Sequence, residues 1–147
     1  MMFAIIGGSP SRFRPFVDLY KQAYDQIGSS PKPLGVHSPG HIAETDEEAR
    51  AQAWQGYRVL RNRIGRERGW PPADEAEFLR EVSHGSMYVG SPETVAQKMA
   101  STIRVLDLKR FEMKYSQGTL AHDHLMKSIE LYGTRVIPRV RALLAEG

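Results

Sequence analysis

The feature that most constrains the fold is an alternation of short apolar runs with longer amphipathic ones. Met2 to Ile6 is apolar and stops at Gly7-Gly8, which suits a buried strand. Leu34 to Ile42, LGVHSPGHI, reads as a second strand carrying a Pro-Gly interruption. Arg110 to Tyr115, RFEMKY, alternates as a third, with Phe111, Met113 and Tyr115 on one face and Glu112 and Lys114 on the other. The segments between them carry helical periodicity: Phe13, Phe16, Val17, Tyr20, Ala23, Tyr24 and Ile27 recur at three- and four-residue steps, as do Val95, Met99, Ile103 and Leu106. Strands alternating with helices predict parallel pairing through right-handed crossovers, hence an α/β protein with about three parallel strands.

Helix boundaries are marked by local chemistry. Ser9-Pro10 fits an N-cap followed by proline in the first turn, and Gly28 with SSPKP closes that helix. In ETDEEARAQAW, Thr45 and Glu48 have capping-box spacing, and Asp46, Glu47 and Glu48 put negative charge at the positive end of the dipole. This helix should run past Trp54, Tyr57 and Leu60 to about Gly69, where Trp70-Pro71-Pro72 ends it. A shorter one is expected from Asp74 to about Val82, with Phe78, Leu79 and Val82 turned inward. After SQGTLAHD the chain is helical again, with Leu125, Ile129 and Leu131 apolar, and Gly133 and Pro138 predict a break or kink before RVRALL.

The 147 residues amount to one domain, and no linker or low-complexity tract divides residues 1–147. No apolar stretch approaches the 18 or so residues of a membrane span. The absence of cysteine fits a cytoplasmic protein. A net charge of +3 draws attention to Arg58, Arg61, Arg63, Arg66 and Arg68. Nucleic-acid binding is the sharp reading of that cluster. A solvated or ion-paired helix face is favoured, because no aromatic interleaving or nucleic-acid motif accompanies it.

YVGSPETVAQKM, Tyr88 to Met99, poses a choice between a phosphate cradle and a helix start. A hydroxyl N-cap, a first-turn proline and Glu93 favour the start, since Glu93 would repel phosphate. His122, Asp123 and His124 do not build a metal site, because ligands at i and i+2 diverge on a helix and no third ligand cluster is visible. The carboxylate pairs Glu47-Glu48 and Asp74-Glu75 fall in first helical turns, where capping explains them. The chain contains no GxSxG, P-loop or HExxH.

Five ordered blocks, FAIIGGSPSRFRPFVDLYKQA, GVHSPGHIAETDEEARAQAW, RIGRERGWPP, HGSMYVGSPETVAQKM and FEMKYSQGTLAHDHLMKSIELYGTRVIPRVR, resemble the luciferase-like flavin-dependent monooxygenases. The resemblance runs nearly end to end but covers only the C-terminal part of the family's chain. It implies a partial (β/α)8 barrel with a helical insertion, starting near the sixth strand of a complete member. It also implies FMN or deazaflavin F420 as cofactor, with reduced flavin activating O2 to oxidise a small organic substrate. Segments on which the family relies to bind flavin, including an earlier Gly-Gly turn for its phosphate, lie upstream of the matched part. Gly7-Gly8 corresponds by context to a later junction.

Barrel chemistry sits at the C-terminal ends of strands. That rule makes His37 the candidate catalytic residue, as proton carrier or hydrogen-bond donor, with packing against a neighbouring loop as the competing reading. Tyr115, Ser116, Gln117 and Gly118 are candidates for cofactor binding, and Gly7, Gly8 and Ser38 for lining the substrate; no metal site is expected. A chain of this extent is expected to show little activity alone. A second reading is a non-catalytic module that self-associates, at least as a dimer, or docks onto a separate N-terminal half barrel, covering open edges and faces such as Phe13, Phe16 and Tyr20.

Overall fold

The computed structural model describes residues 1–116 and 118–146. The sheet is parallel and has four strands: β1 (Met2–Ala4), β2 (Gly35–Ile42), β3 (Tyr88–Gly90) and β4 (Arg110–Lys114). Expectation held three strands; the fourth, β3, is only three residues long and merges with the helix start that follows it. β2 is central. Its first half pairs with β1 on one edge (Met2 with Gly35, Ala4 with His37) and with β4 on the other (Gly35 with Arg110, Pro39 with Lys114). Its last three residues, Gly40 to Ile42, pair with Tyr88 to Gly90.

The helices are α1 (Arg14–Gln26), α2 (Asp46–Arg68), α3 (Glu75–Ser83), α4 (Pro92–Leu106), α5 (His122–Leu131) and α6 (Ile137–Ala145), with a 3-10 turn at Pro10–Phe13. Thr45 and Glu48 close the expected capping box on α2, each side chain accepting from the other's backbone N–H at 3.2 Å. Ser91 caps α4, its hydroxyl accepting from Thr94 N. Ser9 does not cap: its hydroxyl pairs with that of Ser11, 2.8 Å away, and the turn beyond it is 3-10. The break near Gly133 and Pro138 takes the form of a π-helical segment, Tyr132–Val136, which joins α5 to α6. Widening the helix by one residue accommodates the amide hydrogen that Pro138 lacks.

One face of the sheet is covered. Phe3 and Ile5, Val36 and Phe111 turn toward α1 and α4 and pack with Val17, Leu106 and Leu108. Farther along, Ile42, Tyr88 and Met113 join Val95, Met99, Leu131, Val136, Val140 and Leu143 beneath α4 and α6. Full burial of side chains such as Ile5, Val36 and Leu106 stabilises by roughly 1.5–3 kcal/mol each. Tyr88 is wholly buried with its hydroxyl 2.8 Å from that of Thr102, which itself donates to Lys98 O at 3.0 Å. Tyr88 is therefore the donor between the two hydroxyls, and burial pushes its pKa up to about 12.

The other face is open along β1 and the N-terminal part of β2 and β4. Alternation places Met2, Ala4 and Ile6, then His37 and Pro39, then Arg110, Glu112 and Lys114 on it, and Ile6 is 78% exposed. The Met2–Ile6 run is thus an edge strand buried on one side, not the fully buried strand its composition suggested. At the C-terminal end of the sheet α2 and α3 close over this face, forming a third cluster of Ala49, Ala53, Phe78, Val82, Met87 and Val89 with Trp54 and Tyr57. Leu79, expected in this cluster, points outward and is 40% exposed. Among the described residues no helix is long and apolar enough to cross a membrane.

Gly40 is the tightest point of the sheet. A Cβ there would collide with the Met113 side chain and lie 2.7 Å from Tyr88 O. Gly40→Ala is expected to cost about 1–3 kcal/mol, read as a lower urea midpoint at unchanged slope.

Candidate functional site

Ile6 and Gly7 leave the end of β1, Pro39 belongs to β2, and Lys114 ends β4; together they floor a cleft of ≈ 520 Å³. Its roof is the second half of α2, through Tyr57, Leu60 and Ile64, extended by Trp70. Glu77 and Glu81 of α3 form a wall, and Met87 closes the back. The cleft is the upper end of the open sheet face, roofed by the helical insertion, and it stands where parallel-barrel chemistry takes place.

Each wall is held by identifiable contacts. Gly8, at φ 75°, donates its amide to both carboxylate oxygens of Glu81, at 3.0 and 3.1 Å. Glu81 also accepts from Ser86 N at 3.0 Å, so one carboxylate ties the β1 turn to α3 and to the approach to β3. Lys98 of α4 reaches under α3 and donates to Glu81 O, Val82 O and Met87 O, at 3.3, 2.6 and 2.8 Å. Burial pulls its pKa down to about 8. Three carbonyl acceptors nevertheless require the ammonium form, so the side chain is a cationic C-cap for α3. Trp70 lies beneath two guanidinium groups, Arg61 at 4.5 Å and Arg68 at 5.1 Å from the ring centre. Two of the five arginines of the basic cluster are therefore engaged on an aromatic ring.

The phosphate question at SPE has a direct answer. The N-terminal end of α4 already holds an anion: Asp46 accepts from Ser91 N at 2.6 Å and from the Thr94 hydroxyl at 3.0 Å. The Gly7-Gly8 turn is likewise plugged, by Glu81. The residues at these two turns do not fit a flavin phosphate, because each seat is taken by a carboxylate of the chain itself.

Of the candidates from sequence, Gly7 lines the cleft, and Gly8 beside it has its amide committed to Glu81. His37 is half-buried on the open face, one alternation below Pro39 and in register with Ala4 and Glu112, outside the cleft lining. Ser38 is fully buried and donates to Ile5 O at 2.8 Å, which occupies its hydroxyl with holding β1 to β2. Tyr115 and Ser116 are exposed beyond the end of β4 and do not line the cleft. Gly118, at φ 56°, sits where a Cβ would come 3.0 Å from Gly56 O, so it lets the loop after β4 rest on α2. Gln117 lies outside the described residues. Among those described, no group of three or more His, Asp or Glu could hold a metal.

Sequence reasoning passed over His41. It shares the face of His37 and Pro39, is 1% exposed, and lies 2.7 Å through Nε2 from Gln52 Oε1 on α2. Since that oxygen only accepts, Nε2 carries the hydrogen, leaving Nδ1 a buried lone pair with no partner among the described residues. The legible signal was VHSPGHI, whose two histidines four residues apart must share a strand face.

No family model and no curated protein sequence matches the chain. Solved structures do. Monooxygenase RslO1 from Streptomyces bottropensis superimposes with a TM-score of 0.73 at 18% identity, over 93% of this chain and 40% of its own. The oxygenating constituent of 3,6-diketocamphane monooxygenase from Pseudomonas putida, in complex with FMN, gives 0.68 at 19%, over 93% and 42%. The coenzyme F420 dependent tetrahydromethanopterin reductase from Methanopyrus kandleri gives 0.57 at 16%, over 95% and 45%. The fold is therefore that of part of a luciferase-like (β/α)8 barrel, and the chain spans less than half the length of these structures.

Lys98→Met leaves three carbonyls without their donor and is expected to destabilise by about 1–3 kcal/mol, measured by equilibrium unfolding. His41 has its pKa lowered, chiefly by burial. Below the ordinary value of about 6.5 the unfolded chain takes up that proton more readily than the folded one. Stability from His41 is complete above that value and declines as pH falls through it. Urea midpoints from pH 7.5 to 5 should fall more steeply for the parent chain than for His41→Gln.

Proposed function

We propose that this chain forms the C-terminal part of a luciferase-like, flavin-linked oxidoreductase, in which reduced flavin activates O2 to oxidise a small organic substrate. The observation that carries the reading is the roofed cleft at the C-terminal mouth of a partial barrel whose fold recurs in monooxygenases, one of them in complex with FMN. In this reading the open face bearing His37 and Glu112 is barrel interior, and the flavin phosphate is held by residues outside this chain. The groups this chain contributes are apolar walls that exclude water, the Tyr57 phenol, and the cations at the rim of the cleft. Burial, and secondarily the charge of Glu77, raises the Tyr57 pKa, so the phenol is a neutral donor at neutral pH. FMN and F420 both remain within the proposal, as does a cytoplasmic setting.

The chain alone is expected not to perturb the spectrum of micromolar FMN. A hybrid in which it replaces the matching segment of the Pseudomonas putida monooxygenase is expected to retain FMN. A folded hybrid that purifies without flavin and takes up none would overturn the reading.

A second reading, a self-associating or half-barrel-docking module, is favoured by exposed apolar surface. Of the faces expected to be uncovered, Phe16 is 56% exposed, whereas Phe13 and Tyr20 pack against the Ile5, Val17 and Leu106 cluster; Leu19 and Ile27 of the α1 region are 63% and 71% exposed, and Ile6 on the open face 78%. Light scattering at micromolar concentration should report at least a dimer for the free chain; a monodisperse monomer would count against self-association.

A further inference from the structure

The cleft beneath α2 has a chemical bias that the fold does not require. Its body is apolar: Ile6, Pro39, Leu60, Ile64 and Met87, with the Trp70 ring at the mouth. Three cations line it, Arg61, Arg68 and Lys114, and each comes from a different place: the middle of α2, its last turn, and the end of β4. Among the described residues none of the three has a carboxylate within salt-bridge distance. Arg61 and Arg68 lie over Trp70, and Arg61 also reaches Pro71 O at 3.5 Å. Two acids, Glu77 and Glu81, share the lining, so three cations against two carboxylates leave a formal charge of +1. Glu81 is committed to Gly8 N and Ser86 N, leaving Glu77, beside Tyr57, as the one acid not so tied. Some surface cations are paired, as in Arg139 with Glu93 and Arg135 with Glu44, and others, such as Arg58, Arg63 and Arg66, have no carboxylate partner among the described residues; what sets these three apart is that they line one apolar cleft. With Glu81 turned to the amides behind it, the excess positive charge sits on the Arg68 and Lys114 side of an apolar cleft, where low-dielectric walls strengthen its field.

We infer that this cleft binds an amphipathic organic anion, a flat apolar body bearing one carboxylate or sulfonate, with the body against Ile64 and Trp70 and the acid toward Arg68 and Lys114. A volume of ≈ 520 Å³ admits a body of two fused rings with its charged group. The inference names the substrate class for the proposed function and rests on reading this mouth as the reactive end. Its test needs no flavin, so failure here and failure of the flavin proposal are separate results.

The experiment titrates the full chain with 2-naphthoate and, separately, with the isosteric neutral 2-naphthalenemethanol, by calorimetry in low and moderate salt. The naphthoate is expected to bind about tenfold more tightly than the alcohol, a difference of about 1.4 kcal/mol, and to weaken as salt rises. Arg68→Gln and Lys114→Gln replace exposed side chains without disturbing the core. Each is expected to lower naphthoate affinity about fivefold while leaving the alcohol unchanged. Equal affinity for acid and alcohol would overturn the inference, as would naphthoate binding that both variants leave intact. Displacement of naphthoate by equimolar FMN would overturn it too, since the cations would then serve the flavin.

Discussion

A parallel sheet needs cover on both faces, and this one has full cover on one. The side chains of Phe3, Ile5, Val36, Phe111 and Met113 are sealed by α1, α4 and α6, whereas the opposite face along Met2, Ala4, His37 and Glu112 has no roof of its own. Much else follows from that asymmetry. The insertion helices α2 and α3 cover only the C-terminal end of the bare face, and the cleft is the space left between their roof and the strand ends. The bare face carries His37, Arg110, Glu112 and Lys114 among its apolar residues, side chains that an open, solvated surface accommodates.

The second organising element is the chain's use of its own acids at helix starts and glycine turns. Asp46 binds the first turn of α4 and Glu81 binds the Gly8 amide. In many α/β proteins those are the positions at which a ligand's phosphate is held. Here they fasten the insertion to the barrel wall. The turns look like phosphate cradles in the one-letter code, and their work is structural.

Much of this architecture could be read from the residues. Thr45 with Glu48, Ser91 with Pro92, and Gly133 with Pro138 announced their helix boundaries because capping and proline effects are local, decided within four or five residues. What escaped were matters of distance. Tyr88–Gly90 is a strand only because Gly40–Ile42 lies alongside it, 48 residues earlier in the register. Leu79 is outward because Trp54, Tyr57 and Phe78 already fill the cluster under α2. His37 and His41 looked alike in sequence, and only the placement of Gln52 over β2 makes one half-open and the other sealed. Likewise no pattern in the arginine run said that Arg61 and Arg68 would meet Trp70 and that their neighbours would not. Ser9 failed as a cap because a partner two residues on, Ser11, captured its hydroxyl.

The fastening of α3 has a further meaning for traffic. Lys98 grips three carbonyls around the end of α3, one of them that of Glu81, whose carboxylate grips the first turn after β1, so this wall of the cleft is fixed at one point from two sides. The clamp holds the α3 wall and leaves the α2 roof outside it. The cleft opens along the sheet, on the side where this polypeptide leaves its strands uncovered, so whatever packs against that side also borders the doorway.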